Sequence, residues 1–156
     1  MQITWVIVAK DSVIDRDTGE LSLFGIIPGL VPIGLPLFIP QVAVAAYIRR
    51  AKGEPETVQA TLTIYLQGNE LFKMPVNVDF QGRMGSYIVS TLRGLLVSEP
   101  GTLIFEYSAT GIATQTCEVD VDAPFPTAKP IESVPATKPT VSATLSPTQS
   151  SATSAD

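Results

Sequence analysis

The chain has 156 residues, 45% hydrophobic and 16% charged, with a net charge of −5 from 10 basic and 15 acidic side chains. That length suits one core-forming domain plus an extension. The basic residues before position 122 scatter from Lys10 to Arg93 without the clustered footprint that phosphate backbones demand, which excludes nucleic acid as a direct partner.

Residues 3–9 read as a strand rich in Ile, Val and Trp, buried on both faces. No basic residue precedes this short apolar run and Lys10-Asp11 follows at once, the reverse of a secretory leader, so a cytoplasmic protein is expected. Asp11 to Glu20 is a polar connection ending in the turn chemistry of Asp17-Thr18-Gly19-Glu20. Leu21 to Ile48 then contains no charged side chain. Its length could span a bilayer, but Pro28, Pro32, Pro36 and Pro40 each remove a backbone donor and would break a helix, so no membrane span is expected. The segment reads as two core strands, 21–27 and 42–48, joined by an apolar, ordered proline crossover. In residues 41–50, Val42, Val44, Ala46 and Ile48 fall on one face, and Ala43, Ala45, Tyr47 and Arg49 on the other.

Thr57 to Leu66 carries the cleanest period-two pattern, with Val58, Ala60, Leu62, Ile64 and Leu66 inward. In the following strand, Leu71 to Phe80, Pro75 points to an edge strand or a bulge. Tyr87 to Ser98 has a mixed pattern that reads as strand. Leu103, Phe105 and Tyr107 share a face in the next strand, and Cys117, Val119 and Val121 share one in the last. About eight strands with turns between them predict an all-β fold, an antiparallel, immunoglobulin-like β-sandwich over residues 1–122. From 123 to 156 the composition shifts to six prolines and twelve Ser/Thr, which predicts a disordered tail.

Gly19-Glu20-Leu21-Ser22-Leu23-Phe24-Gly25-Ile26 after an opening strand resembles a small uncharacterised family of bacterial and phage-associated β-sandwich proteins. Pro36-Leu37-Phe38-Ile39-Pro40, Gly53-Glu54 and Pro100-Gly101 also match that pattern, although Thr102 stands where an aromatic residue is expected. The resemblance covers roughly residues 4–121 and implies the fold. It carries no catalytic or ligand residue.

The chain has no histidine, which removes the usual general base, most catalytic triads and most transition-metal sites. Its single cysteine, Cys117, allows neither an intramolecular disulfide nor a thiolate metal cluster, and its place on an apolar face reads as a buried inert thiol. Asp17-Thr18-Gly19 spells the aspartic protease tripeptide, but its neighbours Asp15, Arg16 and Glu20 make a solvated loop rather than the apolar setting such a carboxylate needs. Counted from Asp15, the calcium-loop positions for Gly and Glu hold Glu20 and Ile26, so that pattern fails. Gly82-Arg83-Met84-Gly85-Ser86 lacks the Lys-Ser/Thr ending of a phosphate cradle and reads as an inter-strand loop. Arg49-Arg50 with Lys52 reads as a solvated turn.

No cofactor, metal or small-molecule substrate is expected. The reading is a non-enzymatic binding or structural module, with a protein partner or self-association. Its candidate contact surface is Leu30, Val31, Leu35, Leu37 and Phe38 in the crossover, which otherwise cap an open end of the core. Of these, Leu35 is expected to cap and Phe38 to stay partly exposed. The alternatives are a small hydrolase using Asp11, Asp15 and Asp17, or a surface-displayed adhesin-like domain with a Pro/Ser/Thr stalk.

Overall fold

The computed structural model describes residues 1–124, and the predicted disordered tail lies outside them apart from its first two residues. The described residues form nine strands and no helix, so no helix among them is long and apolar enough to cross a membrane. The strands are β1 (Gln2–Ile14), β2 (Leu21–Ile26), β3 (Gly29–Leu30), β4 (Leu37–Arg49), β5 (Thr57–Leu66), β6 (Asn69–Asp79), β7 (Gly85–Val97), β8 (Gly101–Ala109) and β9 (Ile112–Val121). They make a four-stranded sheet ordered β2-β1-β4-β7 and a five-stranded sheet ordered β3-β9-β8-β5-β6. Every pairing is antiparallel except β3 with β9, which corrects both the count of eight and the uniformly antiparallel expectation. The ninth strand is only two residues long and sits inside the proline crossover, too short to show any periodicity.

Alternation builds the core. Val42, Val44, Ala46 and Ile48 of β4 meet Leu62, Ile64, Leu66, Leu103, Phe105 and Tyr107 of the other sheet in one buried cluster. The inward faces expected for β5, β8 and β9 hold, with Cys117 half-buried against the cluster. β6, which contains Pro75, is an edge strand, where a missing backbone donor does least harm.

Two strands reverse their faces together. Core positions in β7 run Ile88, Ser90, Leu92 and then Leu95, Val97; those in β4 run Val42 to Ile48 but Leu37 and Ile39 before them. The paired positions Ile39↔Leu95 and Gln41↔Arg93 put Pro40 opposite Gly94, whose φ of +80° favours glycine. One residue slips out of phase on each strand, so the register survives while the faces exchange. This explains the mixed pattern of residues 87–98.

The distal half of the β1–β2 hairpin leaves the plane of its sheet. Ile14 lines one cleft with Tyr47 and Tyr87, and the Arg83 guanidinium lies 3.0 Å from where a Gly19 side chain would begin. The hairpin thus passes over the outer face of β4. Ala43 and Ala45 point away from the core cluster yet have no exposure, and their small side chains allow that close approach. The expectation of 21–27 as a core strand is corrected: β2 is an edge strand, with Phe24 54% and Ile26 61% exposed. Phe24 and Ile26 face outward because nothing among the described residues covers that side of the hairpin, whereas Leu21 and Leu23 are half-buried and Ile27, just past β2, joins the core.

Candidate functional site

Three adjacent strands place three aromatic side chains in one row. Trp5 of β1 is the register partner of Tyr47 of β4, and Tyr47 is the register partner of Tyr87 of β7. The Trp5 and Tyr47 rings stack with centroids 6.1 Å apart, and the Tyr47 and Tyr87 rings tilt against each other at 5.1 Å. Offset and tilted pairs of this kind are each worth about 0.5–1.5 kcal/mol beyond their buried area. A β-carbon on Gly85 would overlap the Tyr47 ring, so that position is kept bare for it. β7 is the edge of its sheet, and Tyr87 ends the row partly exposed.

A cleft of about 420 Å³ opens beside Tyr47 and Tyr87, walled also by Asp79, Gln81, Arg83 and Ser86. These polar residues come from the end of β6, the β6–β7 loop and the start of β7. Arg50 holds that loop in place. Its Nε donates to the Arg83 carbonyl at 2.9 Å, its Nη1 to the Glu54 carbonyl at 2.9 Å and its Nη2 to Glu56 Oε1 at 3.0 Å. Its guanidinium also lies 5.6 Å from the centre of the buried Phe80 ring. The solvated-turn reading of Arg49-Arg50 is therefore corrected for Arg50, whose partners are the Glu56 carboxylate and two backbone carbonyls, one of them at Arg83, which the sequence alone does not place nearby.

The candidate crossover residues separate into two groups. Leu30 and Leu37 are partly buried against the core and Leu35 is half-buried, whereas Val31 is 58% and Phe38 60% exposed. Ile33, on the same crossover, is 99% exposed, and Phe38 sits directly opposite Leu96, itself 56% exposed.

Of the carboxylates named for a hydrolase, those of Asp15 and Asp11 are engaged in local structure, whereas Asp17 takes part through its backbone N–H. Asp15 Oδ1 accepts hydrogen bonds from the backbone N–H groups of Asp17 (2.8 Å) and Thr18 (2.9 Å), which hold its pKa below the ordinary carboxylate value, the Thr18 contact most. Asp11 Oδ1 accepts from Gln41 Nε2 at 3.1 Å. Among the described residues, no three His, Cys, Asp or Glu side chains converge as a metal site. Burial raises the Cys117 thiol pKa, as a half-buried thiol against the core requires.

The aromatic row was legible only in part. Tyr47 is assigned by alternation to the face away from the core, but placing Trp5 and Tyr87 beside it requires the strand pairing. No protein-family model matches the chain, and no curated protein matches it either.

Proposed function

We propose that this is a non-enzymatic β-sandwich of immunoglobulin-like type that works as a binding module and contacts a protein partner, foremost a second copy of itself, through its proline crossover. Two sheets contributing alternate residues to one core support the sandwich reading. The Gly19–Ile26 motif supports a place in the uncharacterised bacterial and phage-associated family it resembles.

One observation carries the contact surface: Val31, Ile33 and Phe38 leave large apolar side chains in solvent, with Leu96 beside Phe38. Burying such a side chain is worth about 1.5–3 kcal/mol, and clustered exposed ones mark contact surfaces. Light scattering over a concentration series tests it. A concentration-dependent oligomer is expected, weakened in Ile33→Ser and Phe38→Ser with unchanged melting. A monomer at all concentrations, with no partner lost from a pull-down by the two variants, would sink the proposal.

A further inference from the structure

We propose a second, separate site: the cleft ending the Trp5–Tyr47–Tyr87 row binds a neutral saccharide. A pyranose ring presents axial C–H bonds on one face and hydroxyls around its rim. It is recognised by an aromatic ring against the C–H face together with polar groups placed for the hydroxyls. The cleft supplies both. Tyr47 and Tyr87 line it, as do Asp79, Gln81, Arg83 and Ser86. Its volume of about 420 Å³ falls within the 300–1,000 Å³ typical of small-molecule sites.

The polar groups are available. Among the described residues, no hydrogen bond engages the phenol groups of Tyr47 and Tyr87 or the guanidinium of Arg83. Asp79 uses Oδ1 to accept from the Gln81 backbone N–H at 2.9 Å, leaving its second oxygen to accept from a ligand hydroxyl. The site is also preorganised, since Arg50 fixes the loop through the Arg83 carbonyl and leaves the Arg83 side chain itself unpaired. Rigid positioning lowers the ordering cost of binding.

Charge selects the ligand class. One carboxylate, Asp79, and one guanidinium, Arg83, line the cleft and cancel, so a neutral polyhydroxylated ring fits better than a uronate or a phosphorylated sugar. The site shares no residue with the crossover surface and does not depend on it.

The chain's single tryptophan is in the aromatic row, so intrinsic fluorescence reads this site directly. The full chain is titrated with cellohexaose, mannohexaose and the hexamer of N-acetylglucosamine, with oligogalacturonate as the anionic comparison. A saturable Trp5 response to at least one neutral hexasaccharide is expected. Arg83→Ala should weaken it at least tenfold with unchanged melting, and Tyr87→Ala at least tenfold with a modest loss of stability from the aromatic row, while Ile33→Ser binds as the parent does. No saturable response to any neutral hexasaccharide, a response to oligogalacturonate alone, or undiminished binding by both site variants would overturn the proposal.

Discussion

The Tyr107 hydroxyl lies 2.8 Å from Ser90 Oγ, a hydrogen bond that crosses the core from β8 in one sheet to β7 in the other. The same hydroxyl reaches the Val44 carbonyl of β4 at 3.2 Å. Both groups are buried, and no buried side-chain polar atom among the described residues lacks a partner. Around this link the inter-sheet core is almost wholly apolar. Tyr107→Phe should therefore cost about 1–3 kcal/mol, because it leaves Ser90 without its partner in a dry setting. The Tyr107→Phe/Ser90→Ala double variant should recover part of that loss in urea melts. A neutral Tyr107→Phe would mean water reaches Ser90.

The same phenol gives a pH dependence. Burial raises its pKa from the ordinary 10 to about 12. The folded state thus holds a proton that the unfolded state releases first. The resulting stability is complete below pH 10 and is lost as the pH rises from about 10 to about 12. The loss should be on the order of 3 kcal/mol. Melts across that window should show a steep fall in the parent protein and a shallower one in Tyr107→Phe.

In the crossover, stability and surface should separate by residue. Leu37→Ala removes a side chain packed on the core and should cost roughly 1–3 kcal/mol, toward the low end for large-to-small changes because Leu37 is only partly buried. Ile33→Ser, at a fully exposed position, should leave the denaturation midpoint unchanged. Equal losses for both would mean that Ile33 is covered in solution.

Gly85→Ala tests the aromatic row without touching an aromatic residue. The added methyl would overlap the Tyr47 ring, so the ring must shift and change its packing on Trp5. The expected result is a shift in Trp5 emission with a stability loss of about 1–3 kcal/mol, the usual range for overpacking. Unchanged emission would show that the backbone moves instead.

Cys117 should react slowly with a thiol reagent in the native protein and rapidly in denaturant, since burial raises its pKa and depletes the thiolate. Fast native labelling would place the thiol on the outer face of β9.

How much of this was legible depends on how local its cause is. The inward faces of β5 and β8 follow from period-two alternation, because one face meets the core and the other meets solvent or the half-buried outer side. β3 defeats that logic with two residues, and its parallel partner β9 is more than eighty positions away. The burial of Ala43 and Ala45 was equally hidden, since alanine on an outward face reads as exposed until a folded-back hairpin covers it. Tyr47 was placed correctly on the outer face, but its neighbours Trp5 and Tyr87 come from strands forty residues away in either direction. Pairing distant strands requires register information that no single segment holds.

The opposition of Pro40 and Gly94 restricts how this protein can vary. Each strand carries one out-of-phase position, and only because the two face each other does β4 stay paired with β7 from Leu37 to Arg49. Deleting either position alone would restore strict alternation on its own strand and leave the extra residue of the other strand as a β-bulge opposite it. Deleting both would restore a continuous alternation across the pair. Length changes at this point are therefore expected either as a compensated pair or as a single deletion that trades the matched reversal for a bulge on one strand.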